Sequence, residues 1–350
     1  MTTAAAHPQI SCSLDKNELQ NFGMKAGNGD PLPDIGLLKP STMDLPMGEL
    51  RKRYNEDGYL WMKGILDEEK VLDVREQYFR FMTENGDTGI LAKGTDPRDG
   101  IFSGEDWRNF LLPGALRVFN GLSDEGAFVD KAFKAHVADF YQQFKVNVEK
   151  PLREFVGELR QFRDPMLLKR TLLRCNVPGG ETTPVHYDQI FLRDGPPTSI
   201  TAWIPLGDCP LAGGGLMYLD NSVPIGEKFE ADFSEKSKSL TDEERVSAFN
   251  KNMMAGGFID RNAAKFGKYW GRRWLVAHYE AGDVVFHNPF KIHASCRNES
   301  PEGIIRLSTD LRFVDQAEPF DERWLYEAYQ DSDPNVASRQ SQVSGGNGRR

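Results

Sequence analysis

Apolar side chains recur with a helical period in the first half of the chain. Between Asp67 and Met82 they return every three or four residues and form one stripe, with Asp67 placed to cap the helix. A second helical stretch runs from Asp124 to Leu159, and its stripe is aromatic, which we interpret as core packing. We expect Pro151 to break or kink this second helix because proline removes a backbone donor.

From Leu167 onward the apolar period changes to two, which is typical of strands. Short alternating segments follow one another with turn residues between them: KRTLLRCNVP, TSITAWIPLG, GGLMYLD, WLVAHYEAGDVVFHN, IHASCRN and IIRLSTDLRF. Helices followed by many short strands favour a mainly β fold with flanking helices. The sequence therefore predicts a double-stranded β-helix, or jelly roll, buttressed by N-terminal helices.

Composition divides the chain into three parts. Residues 1–45 are rich in Gly, Pro, Asn and Ser and are predicted to form a flexible or surface-wrapping leader. Residues 46–330 are predicted to form the folded domain. Residues 331–350 are rich in Ser, Gly, Asn and Arg, and we expect a disordered tail there.

One insertion interrupts the strand pattern, at residues 225–273. Thr241 followed three positions later by Glu244 is a capping-box signature, so part of the insertion is predicted to be helical. Long insertions in compact domains are usually functional. We expect this one to fold over the open mouth of the roll as a lid.

Candidate metal ligands lie in two separate blocks. His186 and Asp188 are two residues apart in PVHYDQIFLR, and side chains two apart in an extended segment point the same way. A distant histidine, most simply His293 in GDVVFHNPFKIHAS, would add a third ligand. Two imidazoles and one carboxylate on one face of a metal leave the other positions open, as in non-heme Fe(II) oxygenases.

The segment after the second block alternates strictly. Arg306, Ser308, Asp310 and Arg312 fall on one face of the predicted strand IIRLSTDLRF. An arginine beside a metal site can hold a carboxylate through two parallel hydrogen bonds. We favour Arg306 for this role, with Arg312 as the alternative; otherwise Arg312 is expected to form a salt bridge with Asp310 or Asp315.

These motifs, in this order, resemble the phytanoyl-CoA dioxygenase-like family of Fe(II)/2-oxoglutarate-dependent oxygenases. The resemblance covers about residues 50–315 and includes the opening stretch YNEDGYLWMKGILDEEKVLDVREQYFRFM. The residues that carry it are HYD at 186–188, Trp203 in ITAWIPLGD, the GGGLMYLDNS block, GDVVFHNPFKIHAS and Arg306.

The resemblance implies an oxidoreductase that uses Fe(II), 2-oxoglutarate as co-substrate and O2. It implies the following assignments: iron ligands His186, Asp188 and His293; Arg306 on the C5 carboxylate of 2-oxoglutarate; and Ser295 and Trp203 lining the co-substrate pocket. It also places the iron ligand at the second histidine of the H-x5-H pair, so His287 is expected to be a pocket or supporting residue. Related halogenases have a small residue where Asp188 stands, so hydroxylation, desaturation or ring formation is favoured over halogenation.

Charge and cysteine content narrow the class of partner. The net charge of −9 argues against nucleic acid and anionic membranes, which would repel the chain. The four cysteines are scattered without a CxxC pair, so we expect a reducing, cytoplasmic location and no disulfide framework. No apolar run approaches the roughly 18 residues of a membrane span. The sequence gives no prediction of oligomeric state.

A small organic molecule of specialised metabolism is the expected substrate. Tentative pocket residues are Phe191, Arg193, Met217 and Trp270. An aromatic lining suits a terpenoid or alkaloid, whereas arginines would suit an amino acid or another small acid, and an acyl-CoA is a further alternative. A cupin-type metal protein that does not use 2-oxoglutarate is the alternative of another class. A cupin usually shows a His-x-His pair, whereas this chain has His-x-Asp and a downstream arginine.

Overall fold

The computed structural model describes residue 19 and residues 22–111, 127–246 and 257–328. The predicted tail, 331–350, lies outside the described residues, as do most of residues 1–21 and residues 247–256 of the insertion. No helix of the described ranges is long and apolar enough to cross a membrane. Cys175, Cys209 and Cys296 are buried and free.

Eleven strands are found in the described part of the chain. They are β1 (Ile35–Leu37), β2 (Pro40–Ser41), β3 (Tyr59–Met62), β4 (Pro165–Leu167), β5 (Leu172–Asn176), β6 (Ile200–Pro205), β7 (Leu216–Leu219), β8 (Trp274–Val276), β9 (Val284–His287), β10 (His293–Ser295) and β11 (Arg306–Asp315). Each segment predicted from the two-residue period contains one or more of them.

The strands form two sheets with jelly-roll connectivity. One sheet has the order β2-β3-β9-β6-β11-β4, with β5 also paired to β11. The other has the order β1-β8-β7-β10, and His186 bridges the free side of β10 by pairing with His293. From β5 to β11 the chain crosses between the sheets four times, because β5, β6, β9 and β11 belong to the larger sheet and β7, β8 and β10 to the smaller one. The predicted fold class, a mainly β jelly roll with flanking helices, is confirmed.

An aromatic cluster fills the space between the sheets. Trp61, Trp203 and Val285 of the larger sheet pack in one cluster with Leu216 and Tyr218 of the smaller sheet. The metal-ligand strands face the same interior. The sheets therefore hold the candidate site between them.

Four helices precede the strand-rich half within the described ranges 22–111 and 127–160. They are α1 (Met47–Asp57), α2 (Glu68–Thr83), α3 (Ala127–Ala135) and α4 (Asp139–Arg160). Asp67 caps α2 as predicted, accepting a hydrogen bond from the Lys70 backbone N–H at 3.1 Å. Their buried faces pack against the outer face of the larger sheet in one large core cluster.

The break predicted at Pro151 is absent, whereas a kink there stays a prediction. Helix α4 runs through Pro151 without ending, and the interruption lies between α3 and α4. There the backbone N–H groups of His136 and Val137 donate to carbonyls three residues back, at 3.2 and 3.1 Å. Such tightened bonds end a helix.

The leader contributes to both sheets. Strand β1 pairs in parallel with β8, and β2 pairs in parallel with β3. Met24, Leu32 and Ile35 are buried in the cluster on the outer face of the smaller sheet. Residues 22–41 wrap the surface, as one form of the prediction had it, but they also complete the sheet edges, so the folded unit begins before residue 46.

The insertion is helical where it is described. It contains α5 (Val223–Lys236), α6 (Asp242–Val246) and α7 (Ala263–Trp270), and the capping box is present because Thr241 and Glu244 bond each other's backbone N–H groups. Phe229 of α5 and Phe266 of α7 pack with the outer cluster of the smaller sheet. The lid stays a prediction. Short 3-10 helices occur at Trp107–Phe110, Asp188–Phe191, Ser237–Ser239 and Glu322–Leu325.

Candidate metal centre

Three buried side chains converge between the sheets. His186, Asp188 and His293 each offer one ligand atom, and these atoms all lie within 4.8 Å of one another. The Nε2 atoms of His186 and His293 are 4.0 and 3.8 Å from Asp188 Oδ1. The arrangement comes from the backbone, since His186 and His293 exchange backbone hydrogen bonds of 3.0 and 2.9 Å.

Both histidine ligands are fixed in the same tautomer. Nδ1 of His186 is 2.8 Å from the Pro184 carbonyl, and Nδ1 of His293 is 2.8 Å from the Lys291 carbonyl. A carbonyl only accepts, so each Nδ1 carries the proton and each Nε2 keeps its lone pair. Each lone pair is thus available to a metal, which is how a backbone partner usually orients a histidine ligand.

Burial favours the neutral imidazoles that a metal needs. It lowers the pKa of His186 to about 4, partly offset by the nearby Asp188 carboxylate. Burial, together with the neighbouring histidines, also holds the pKa of His293 well below its usual value. Neither ring has to lose a proton near neutral pH before it binds a metal.

Asp188 is held in its ionised form by three neighbours. Burial acts to raise its pKa, but the Arg312 charge and the His287 hydrogen bond outweigh burial, and the pKa lies well below its usual range. Thr201 donates its hydroxyl to Oδ2, and His287 Nε2 lies 3.2 Å from the same oxygen. Oδ1 faces the two histidines and lies 3.1 Å from Arg312 Nη2.

His287 is the residue that orients Asp188. Its Nδ1 is 3.2 Å from the Tyr218 hydroxyl, and it pairs across the sheet with Thr201. With Tyr218 donating to Nδ1, Nε2 carries the proton and donates to the carboxylate. The pocket or supporting role expected for His287 fits this geometry.

The residues expected to hold the co-substrate also lie between the sheets. The Arg306 guanidinium is buried and donates to the Gly214 carbonyl, the Ser308 hydroxyl and the Ser295 hydroxyl, at 3.2, 2.5 and 3.2 Å. All three acceptors are uncharged. Trp203 is fully buried, and its Nε1 has no hydrogen-bond partner among the described residues.

This pocket suits a dicarboxylate. Burial lowers the pKa of Arg306 through desolvation, so its charge is costly without an anion. Ser295, which accepts from Arg306, lies two residues from His293 on β10. Strand β10 therefore places the arginine near the metal ligands. A chelating 2-oxo acid that reaches from the metal to Arg306 would compensate the charge. The donor set therefore fits both Fe(II) and 2-oxoglutarate.

Arg312 is not placed as predicted. Its Nη2 lies 3.1 Å from Asp188 Oδ1, whereas Asp310 pairs with Arg174 at 3.4 Å. Asp315 accepts backbone hydrogen bonds from residues 163 and 164. The reason is tertiary: Arg312 points between the sheets, where Asp188, more than a hundred residues earlier in the chain, lies beside it.

The tentative substrate residues separate into two groups. The Phe191 ring stands edge-on to the His186 ring, 5.9 Å away, so Phe191 borders the site. Arg193 already forms a two-pronged pair with Glu230 of α5 at 2.8 and 3.0 Å. Met217 packs in the outer cluster, while its neighbour Tyr218 faces the histidines. Trp270 packs against Phe229.

Comparison with known proteins finds similarity over most of the chain. The sequence profile described as phytanoyl-CoA dioxygenase (PhyH) matches residues 54–307. The 1-deoxypentalenic acid 11-beta-hydroxylase of Streptomyces arenae is 25% identical over 284 residues, which cover 75% of this chain and 79% of that protein.

Partial structural similarity extends to two non-heme alpha ketoglutarate dependent enzymes from nogalamycin biosynthesis. The epimerase SnoN has a TM-score of 0.44 and 16% identity, over 77% of this chain and 82% of its own. The carbocyclase SnoK has a TM-score of 0.45 and 17% identity, over 79% of this chain and 87% of its own. Both TM-scores are below 0.5, so the family assignment rests on the sequence profile.

Proposed function

The chain belongs to the phytanoyl-CoA dioxygenase family, and from that premise we propose that it oxidises an unactivated C–H bond of a small organic molecule. The outcome would be hydroxylation, desaturation or ring formation, coupled to conversion of 2-oxoglutarate into succinate and CO2. The observation that carries the proposal is the buried set of His186, Asp188 and His293, with both Nε2 atoms and one carboxylate oxygen aimed at a common point.

Each residue has a defined part in this proposal. His186, Asp188 and His293 hold Fe(II), and the Pro184 and Lys291 carbonyls keep both imidazoles in the ligating tautomer. Arg306 receives the C5 carboxylate of 2-oxoglutarate, with Ser295 beside it and the Trp203 N–H free to donate. When bound, iron with 2-oxoglutarate and O2 supplies the oxidant that removes a hydrogen atom from carbon.

The protein's own contribution is to position the target carbon and to exclude water. The ligand residues are all buried, and the Phe191 ring stands edge-on to the His186 ring. We assign Phe191 to the substrate pocket. Arg193 and Met217 keep the structural contacts described above, so they are weaker candidates for direct substrate contact.

Specialised metabolism is the setting that we favour. It is supported by the similarity to a hydroxylase that is named for a small carboxylic acid. An amino acid or an acyl-CoA is the alternative substrate.

The decisive experiment is anaerobic addition of Fe(II) and then 2-oxoglutarate to the metal-free protein, monitored for the visible iron-to-keto-acid charge-transfer band. We expect a band in the wild type. Asp188→Ala should lose or weaken it, because one of the three iron ligands is removed. Arg306→Ala should bind iron but need far more 2-oxoglutarate, because removing one partner of a buried charge pair costs roughly 2–5 kcal/mol.

Matched controls are available on the helices. Asp130→Ala and Arg80→Ala remove the same residue types from exposed positions on α3 and α2, and both should give the wild-type band. Stoichiometric iron binding without a band would contradict the proposal. That result would favour a cupin-type metal protein that does not use 2-oxoglutarate.

A further inference from the structure

Arg312 is a buried cation with unused hydrogen-bond donors. Its side chain is 3% exposed, and Nη2 contacts Asp188 Oδ1 at 3.1 Å. Its Nε and Nη1 atoms have no partner among the described residues. Buried donors without acceptors are rare in proteins because each has lost its hydration without replacement.

The same interior face of β11 carries a second buried arginine, Arg306, whose three nitrogens all have hydrogen-bond partners. Arg306 and Arg312 are six residues apart, so their Cα atoms are about 20 Å apart along the strand. Arg306 contacts Ser295 near His293, whereas Arg312 contacts Asp188. Between them, Asp310 is already paired with Arg174. Arg306 thus lies on the Ser295 side of the metal ligands, where the co-substrate is expected, and Arg312 lies on the Asp188 side.

Aromatic contacts hold the Arg312 guanidinium in place. Its Cζ lies 4.6 Å from the centre of the Trp324 ring. Trp324 Nε1 donates to the Phe191 carbonyl at 3.2 Å, and the Phe191 ring borders His186. The free donors therefore sit beside apolar surface at the ligand end of the site.

Asp188 alone does not satisfy this cation. Only Nη2 contacts it, and the contacted oxygen, Oδ1, is the one that faces both histidines. A bound metal would compete for that oxygen. Nη1 and the second N–H of Nη2 lie side by side at the end of the guanidinium and can donate to the two oxygens of one carboxylate, which makes Arg312 suited to a second anion.

We propose that Arg312 recognises the carboxylate of the organic substrate, and that the substrate is a carboxylic acid with an apolar skeleton lying against Phe191 and Trp324. This inference rests on the proposed function and adds a substrate class to it. The Arg312 guanidinium would also match the C1 carboxylate of 2-oxoglutarate, so the experiment distinguishes the carboxylate of the substrate from that of the co-substrate.

The test uses anaerobic protein loaded with Fe(II) and 2-oxoglutarate. Acetate, cyclohexanecarboxylate and 1-naphthoate, each beside its neutral amide, are titrated by calorimetry and by shifts of the charge-transfer band. At least one acid should bind the wild type tenfold or more tightly than its amide. Arg312→Gln should abolish that preference, and Arg312→Lys, which keeps a cation beside Asp188, should weaken it at least tenfold.

A nearby arginine provides the control. Arg170 also packs against Trp324, at 5.4 Å, and Arg170→Lys should keep the wild-type preference. The iron affinity and the 2-oxoglutarate affinity of each variant are measured first. Both should stay within a few-fold of wild type in Arg312→Lys.

Three results would overturn the inference. One is that no acid is preferred over its amide. Another is that the preference survives in both Arg312 variants. The third is that the acids compete with 2-oxoglutarate while the Arg312 variants weaken 2-oxoglutarate itself, which would assign the arginine to the co-substrate. Failure of the proposed function looks different: the wild type would give no band, while acid binding to the Fe(II) protein would still depend on Arg312.

Discussion

The histidines differ in chemistry because their ring nitrogens meet different partners. His136 is buried, with Nδ1 2.8 Å from the Ala132 carbonyl and Nε2 accepting from the Leu173 backbone N–H at 3.0 Å. A proton on Nε2 would point at that N–H. The structure shows packing around a neutral ring.

The pH dependence of stability should reveal this residue. Burial lowers the pKa of His136 to about 4, below the value near 6.5 of an unfolded histidine. As pH falls below about 6.5 the unfolded state therefore binds a proton that the folded state cannot, and stability is lost down to about pH 4. For metal-free His136→Gln, the fall in the free energy of unfolding between pH 7 and pH 5 should be roughly 2 kcal/mol smaller than in the wild type.

Urea titrations at both pH values measure the effect. His186, whose pKa is also lowered to about 4, keeps part of the dependence in the variant. If the free energy of unfolding fell by the same amount in His136→Gln as in the wild type, the neutral, hydrogen-bonded state of the His136 ring would be contradicted.

Strand β11 shows how one element carries two patterns. All ten residues are buried, yet polar and apolar side chains alternate. Leu307, Leu311 and Phe313 pack with the helices in the large core cluster. The polar face lies between the sheets, where Arg306 and Arg312 need anions. A strand buried on both sides usually reads as a continuous apolar run, so its alternation marks the site.

Helix α5 is locked to the metal-ligand segment by a close approach. A Cβ on Gly226 would lie 2.2 Å from the Phe290 carbonyl oxygen, in the loop between His287 and His293. The Glu230 carboxylate of the same helix accepts from Arg193 and from the Tyr187 hydroxyl, the residue between two of the ligands. The helix therefore supports both ligand blocks from outside.

Gly226→Ala should destabilise the protein by roughly 1–3 kcal/mol, because backbone atoms must move to admit the methyl group. Gly48→Ala is the matched control, since that helical glycine has nothing within 4 Å of its Cβ position. The control should be neutral or up to about 1 kcal/mol more stable. Urea unfolding compares the two, and equal effects would exclude the close contact as the cause.

At the scale of the whole molecule, the leader decides where the fold begins. Residues 22–41 supply an edge strand to each sheet and bury apolar side chains on the smaller one. Composition predicted a surface segment because Gly, Pro and Asn are frequent there. Most of these residues stand before β1, in a segment that turns or bends at residues 27–29 and 33–34, and only Leu38 and Lys39 separate β1 from β2.

Ile35→Ala should cost about 2–5 kcal/mol of folding free energy, as for other buried aliphatic truncations. Ile35 is 7% exposed on β1, whereas Met43, also in the predicted leader, is 58% exposed. Met43→Ala should change stability by less than about 0.5 kcal/mol. Thermal unfolding of both variants tests whether residues 22–41 belong to the folded unit. If Ile35→Ala left stability unchanged, these residues would not contribute to the core.

The sequence by itself determined the strand-rich roll, the capping of α2 and of α6, and the family. Each depends on a short-range signal: an alternating period, a capping residue, or motifs in a fixed order. The tertiary structure alone decided that α4 continues through Pro151, that Arg193 pairs with Glu230, and that Arg312 faces Asp188. The two side-chain pairs join residues that are 37 and 124 positions apart in the chain. Such contacts depend on the register between strands and on which sheet a segment joins, and neither is encoded in a local pattern.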